Sequence, residues 1–175
     1  MIEQKLKTCI RDVPNFPKEG ILFKDITPVL RNPQLCDEIV NEFAKYFAKK
    51  NINAIVGVES RGFLFGFALA NKLNIPFILV RKAGKLPYKT ISYEYDLEYG
   101  SAKVEMQVDE IQPGWNVMIH DDLLATGGTA EAAANLILMQ KGTVAGFSFV
   151  VELEFLNGKK RLSKFSDNII SLVSY

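Results

Sequence analysis

The sequence predicts an α/β fold, a parallel-stranded core sheet flanked by helices, with an antiparallel excursion and a small irregular N-terminal segment. Three observations predict it. Apolar runs at 54–58, 77–80, 117–120, 144–153 and 169–173 have strand length and strand-like bounds. Helical stretches separate most of them, and strands that alternate with helices build parallel sheets covered on both faces. Residues 90–95 and 102–108 alternate in polarity around a short loop, which marks an antiparallel pair.

Each element carries its own signal. Residues 2–10 read as a short amphipathic helix. Pro14, Pro17, Gly20 and Pro28 punctuate 14–28, which reads as extended or looped chain. Asn32 and Pro33 are a helix start, with Asn at the N-cap and Pro at the first helical position. Leu35, Ile39, Phe43 and Phe47 then recur every fourth residue, with Val40, Ala44 and Ala48 alongside. That stripe faces a core, and the helix is expected to end near Lys50. Strand 54–58 leads to an apolar helix at 63–73. Strand 77–80 stops before Gly84 and Pro87. Strand 117–120 runs into Asp121 and Asp122, then the small residues Ala125, Thr126, Gly127, Gly128 and Thr129, then a helix at 130–139. Strand 144–153, a short helix at 157–163 and strand 169–173 complete the sheet.

At 175 residues the chain suits one domain with a substantial core. It is 48% hydrophobic and 23% charged, with a net charge of +1, so no field of one sign recruits nucleic acid or a membrane surface. Cys9 and Cys36 have neither metal-ligand spacing nor a disulfide framework. Cys36 is expected to be a small buried residue in its helix, and a reducing, cytoplasmic setting is expected. Residues 1–7 lack the apolar core of a signal peptide, and no apolar run has the length of a membrane span.

The stretch 117–130, VMIHDDLLATGGTA, carries the most chemistry. Glycines let backbone N–H groups close on phosphate oxygens, and a helix N-terminus adds about half a positive charge. The adjacent carboxylates accept hydrogen bonds from vicinal sugar hydroxyls or hold a divalent ion. The run has no Lys before its hydroxyl residue, as a Walker loop requires, and its acids precede its glycines, unlike a dinucleotide fingerprint. Ligands of parallel sheets bind at the carboxyl ends of strands. Glu59, Ser60, Arg61 and Gly62 follow one strand, and Arg81 and Lys82 follow another, so three polar clusters converge on one edge.

The stretch 117–130 resembles the phosphoribosyl pyrophosphate signature of the type I phosphoribosyltransferases. PKEGILFKDITPVL at 17–30, GVESRGFLFG at 57–66, RKAGKLP at 81–87 and YDLEYG at 95–100 resemble, in order and spacing, the adenine-specific branch of that family. The resemblance covers nearly the whole chain. It implies one domain over 1–175, with a hood within 1–30 and a flexible-loop region at 83–108. It also implies a purine-salvage reaction: adenine and phosphoribosyl pyrophosphate give AMP and pyrophosphate, with Mg²⁺ as cofactor, held mainly by the substrate.

The resemblance further implies roles for single residues. Leu22 backbone, Phe23 by stacking, and Arg61 backbone bind adenine. Ser60, Arg61, Arg81, Lys82 and Lys85 bind pyrophosphate. Asp121 and Asp122 bind the ribose, and Ala125, Thr126, Gly127, Gly128 and Thr129 cradle its 5′-phosphate. Gly127 and Gly128 are expected to serve the turn's conformation and to keep the space of that phosphate clear. Glu98 and Tyr99 belong to a lid, in which Glu98 either moves a proton on the imidazole ring of adenine or only orders the loop. Arg81 and Lys82 are neighbours on extended chain and point opposite ways. The family resolves this as a homodimer, with Lys82 at its own site and Arg81, with Lys85, reaching the partner's. His120, the sole histidine, departs from the family's usual aliphatic residue. Alternation turns it away from Asp121, so a packed, hydrogen-bonded role is expected.

Two other readings compete. One keeps the signature and changes the base to xanthine, hypoxanthine or orotate. The other is a nucleotide-sensing regulator without turnover, which needs a basic nucleic-acid surface that the sequence does not display.

Overall fold

The computed structural model describes residues 1–97 and 100–175. Helix α1 (Ile2–Cys9) leads into a ribbon of β1 (Arg11–Pro14) and β2 (Leu22–Asp25), then a single turn α2 (Thr27–Leu30) and α3 (Pro33–Phe47). The sheet proper begins with β3 (Ala54–Val58), α4 (Gly62–Leu73) and β4 (Phe77–Lys82). An antiparallel pair follows, β5 (Thr90–Asp96) and β6 (Ser101–Gln107). Then come β7 (Asn116–Leu124), α5 (Gly128–Met139), β8 (Thr143–Glu152), α6 (Gly158–Leu162) and β9 (Ile169–Ser174).

The strand order is β5-β6-β4-β3-β7-β8-β9. The five strands from β4 to β9 are parallel to one another, while β6 joins β4 and β5 antiparallel. This is the expected α/β architecture, helices on a mostly parallel sheet. Two apolar layers hold it. On one face α5 packs Ala132, Ala133, Ala134 and Ile137 against Val56, Ile119, Phe147 and Phe149. Alanines let the helix lie close to the strands. On the other face α1, α3 and α4 pack Leu6, Ile39, Phe43 and Leu69 against Ile55, Met118 and Val150. The α3 start is as its sequence predicts: the Asn32 side chain accepts from the Leu35 N–H at 3.1 Å.

The structure corrects several boundaries. The 14–28 segment is not merely irregular. It supplies one strand of a ribbon in which Val13 pairs with Phe23, so Phe23 has a fixed place. Helix α3 ends at Phe47, short of Lys50. β4 runs on through Arg81 and Lys82 because β6 supplies partners, Glu105 and Val104. β7 continues to Leu124 because β8 pairs with it as far as Glu152, so the two aspartates sit within a strand. Cys36 is half-buried rather than buried, its thiol 3.4 Å from the Val29 carbonyl oxygen.

His120 is packed as expected. It is fully buried, its Nδ1 lies 2.8 Å from Ser148 Oγ, and the Phe43 ring meets it edge-on at 5.3 Å. Burial lowers its pKa to about 3, which leaves the imidazole neutral at physiological pH. Among the described residues, no helix is long and apolar enough to cross a membrane.

Candidate functional site

A cavity of about 510 Å³ opens at the carboxyl ends of β3, β4 and β7. Val58, Val80 and Val104 form its apolar floor, and polar groups ring it: Glu59, Ser60 and Arg61 after β3, Lys82 and Lys85 at and beyond the end of β4, Asp121 and Asp122 on β7, Thr129 on α5, and Tyr95 on β5. The polar residues gather at the carboxyl-terminal parts of these strands and just beyond them, so chemistry concentrates at one edge.

The β7 acids are unlike each other. Asp122 is buried and accepts from Arg61 Nε at 2.5 Å. Asp121 accepts the Asp122 N–H at 2.8 Å. Burial first, and then the charge of Asp122, push the Asp121 carboxyl well above the usual range. The pair presents carboxyl oxygens to the hydroxyls of a diol. Gly62 makes this close approach possible: a Cβ there would meet Asp121 Oδ1 and the His120 carbonyl at 2.9 Å.

Arg61 reaches outward as well. Its guanidinium lies 5.3 Å from the Phe23 ring, and Phe16 meets Phe23 edge-on at 5.1 Å. Phe23 and Leu22 do not line the cavity; the ribbon sets Phe23 beside it through Arg61, and Leu22 is 50% exposed. A flat ring under a cation suits an aromatic ligand.

The end of β4 separates its two cations. Lys82 lines the cavity and Arg81 does not. Arg81 Nη2 instead donates to Glu59 Oε1 at 3.0 Å, and Nη1 donates to the Lys85 carbonyl at 3.1 Å. Glu59 Oε2 accepts the Lys82 N–H at 2.8 Å, and its hydrogen bond to Arg81 holds the carboxyl below the usual range. Glu59 thus ties β3 to β4. Lys85, which the family resemblance sends toward a partner, lines this chain's own cavity.

Of the α5 loop, only Thr129 lines the cavity; Ala125, Thr126, Gly127 and Gly128 do not. Gly127 has φ +81° at the N-cap of α5. A Cβ there would point at the backbone of α6, 3.1 Å from the Gly158 carbonyl oxygen. Gly127 has the backbone angle that its expected role in the turn's conformation calls for, and α6 adds a second reason for glycine, since a Cβ would point there and not into the expected phosphate space. Two residues to which the sequence assigned no role take part in the site. One is Glu59, whose only signal was its place after a strand. The other is Tyr95, whose hydroxyl lies 3.1 Å from Thr129 Oγ1. Glu98 and Tyr99 lie outside the described residues.

No group of three or more metal-ligating side chains forms among the described residues. Two β7 acids, one already engaged by Arg61, suit a hard cation that arrives with most of its oxygen ligands from a diphosphate and water. The arrangement has what a sugar diphosphate needs: acids for hydroxyls, lysines for a diphosphate, and a helix N-terminus for a phosphate.

The comparisons agree with this chemistry. A model of the phosphoribosyl transferase domain matches residues 25–154. The adenine phosphoribosyltransferase of Cytophaga hutchinsonii is 49% identical over 175 residues, covering 100% of this chain and 97% of its own. The crystal structure of the adenine phosphoribosyltransferase of Thermoanaerobacter pseudethanolicus superposes with a TM-score of 0.95 at 44% identity, covering 100% of both chains. That of Saccharomyces cerevisiae, complexed with adenine and an imino-altritol bisphosphate, gives 0.90 at 43% identity over 98% of both. The chain belongs to the adenine phosphoribosyltransferase family.

Proposed function

We propose that the chain transfers the 5-phosphoribosyl group from phosphoribosyl pyrophosphate to adenine, giving AMP and pyrophosphate. The observation that carries this is the single cavity in which Asp121, Asp122 and Thr129 face Lys82, Lys85, Ser60 and Arg61. The yeast relative's complex with adenine and a bisphosphate supports it.

In this reading Asp121 and Asp122 grip the ribose hydroxyls, and the 125–129 loop takes the 5′-phosphate at the start of α5. Lys82, Lys85, Ser60 and Arg61 hold the pyrophosphate. As the bond from the anomeric carbon to pyrophosphate breaks, negative charge grows on the leaving group and the sugar becomes cation-like. Cations fixed before the reaction stabilise that charge without reorganising. Mg²⁺, carried on the diphosphate, supplies further charge neutralisation. Phe23 stacks on adenine, backbone groups of Leu22 and Arg61 read its edge, and Glu98 exchanges a proton with its imidazole ring. The setting is cytoplasmic.

The direct test is incubation with phosphoribosyl pyrophosphate, Mg²⁺ and each free base, with the nucleotides separated. Adenine is expected to react about 10²-fold or more faster than hypoxanthine or guanine, because an edge read by fixed donors and acceptors rejects a base with reversed groups. Equal rates with adenine and hypoxanthine would overturn the choice of base.

We further propose a homodimer whose sites are shared, with Lys82 serving its own cavity and Arg81 the partner's. The support is that Arg81 does not line the cavity that Lys82 lines and is held instead by Glu59 and the Lys85 carbonyl. Two inactive variants, Arg81→Ala and Lys82→Ala, are unfolded and refolded together. Each hybrid then has one site with both cations, and random pairing makes about half the dimers hybrid, so roughly a quarter of wild-type activity is expected to return. Proven hybrids without recovery would confine Arg81 to its own chain, as the tie between Glu59 and Lys85.

A further inference from the structure

Strand β5 lies across α5, and its Ile91, Tyr93 and Tyr95 pack on the same apolar layer as the α5 alanines. Alternation puts these three on one face. Tyr95 is the last of them, and it reaches the first turn of α5. Its ring comes 3.5 Å from where a Cβ on Gly128 would sit, and its hydroxyl is 3.1 Å from Thr129 Oγ1. Both Tyr95 and Thr129 line the cavity.

A count of protons orders this pair. A phosphate dianion only accepts, and each hydroxyl has one proton to give. If Thr129 gave its proton to Tyr95, it would present lone pairs to a phosphate at the helix N-terminus, which is repulsive. The order that leaves the Thr129 proton for the ligand runs from Tyr95 O–H to Thr129 Oγ1, and from Thr129 O–H to the phosphate. An oxygen that accepts a hydrogen bond also becomes a stronger donor.

We propose that Tyr95 is a positioning residue for phosphate recognition, donating to Thr129 Oγ1 so that the Thr129 hydroxyl is turned toward the ligand's 5′-phosphate. This rests on the reading that α5 receives that phosphate. Tyr95 touches no ligand in this scheme; it acts through Thr129.

The test is a double-mutant cycle read by AMP dissociation constants from calorimetry, with thermal melts to confirm folding. Tyr95→Phe keeps the ring and removes only the hydroxyl. It is expected to weaken AMP about three- to tenfold, the scale of one hydrogen bond. Thr129→Val is expected to weaken AMP about tenfold or more, the scale of a hydrogen bond to a charged group. In the Thr129→Val background, Tyr95→Phe should have no further effect, whereas in a Thr129→Ser background its cost should return. In steady state, the KM for phosphoribosyl pyrophosphate should rise with Tyr95→Phe while that for adenine holds. An unchanged AMP affinity in Tyr95→Phe, with Thr129→Val impaired, overturns the proposal and leaves the cradle standing. An equal loss in both backgrounds overturns it in favour of direct contact or general packing. If Thr129→Val itself binds AMP like wild type, the cradle reading fails and takes this proposal with it.

Discussion

Glu98→Gln is expected to lower the maximal rate by about 10²–10⁴-fold, the usual weight of a general acid or base. Binding of phosphoribosyl pyrophosphate should change by no more than about threefold, since glutamine keeps the shape and loses only the exchangeable proton. Asp96 and Ser101 are paired across β5 and β6, and the Leu97 N–H donates to the Gly100 carbonyl at 2.9 Å. Tyr95, three residues before Glu98, already lines the cavity. Steady-state kinetics with adenine, together with single turnovers, separate chemistry from product release. A wild-type maximal rate with weakened substrate binding would reduce Glu98 to ordering its loop.

The second large effect is expected at Gly127. Gly127→Val should abolish AMP binding and also destabilise the fold by roughly 2–4 kcal/mol, by adding left-handed backbone strain to a steric clash. At φ +81° a β-branched residue is strained whatever the space around it. Its Cβ would sit 3.1 Å from the Gly158 carbonyl, and its branches would need α6 to move. The start of α5 would shift in consequence, and with it the N–H groups proposed to receive the 5′-phosphate. Gly128→Ala is the control. Its Cβ meets only Arg161 Nη1 and the Tyr95 ring at 3.5 Å, an ordinary contact, so it should unfold at the wild-type denaturant concentration. Denaturant midpoints measured beside AMP titrations check both. A Gly127→Val protein with wild-type stability and affinity would show that this turn adopts another conformation.

The edges of the fold that the sequence misjudged share a cause. β4 and β7 continue past their apolar runs because a neighbouring strand is there to pair with them, β6 for one and β8 for the other. The β1–β2 ribbon formed where prolines and a glycine left extended and looped chain both open, because the residues between them find partners. Backbone pairing is satisfied wherever a partner lies in register, and a one-strand reading has no partner to consult.

By itself the sequence determined what depends on residues close together along the chain. The Asn32 cap, the fourfold stripe of α3, the alternation of β5 and β6, and the order strand, acids, glycines, helix at 117–130 are all local patterns, and their periods follow from backbone geometry alone. It also placed His120 on the face opposite Asp121, by alternation. Tertiary structure alone decided which distant side chains meet. Val58 is in register with Val80, so the residues that follow, Glu59 and Arg81, are brought side by side and pair. The antiparallel excursion folds back over α5, so Tyr95 finds Thr129, and α6 lies against the turn before α5, so Gly127 has a second reason to be glycine that its own segment does not show. These contacts depend on strand order and register, which short-range periodicity does not encode.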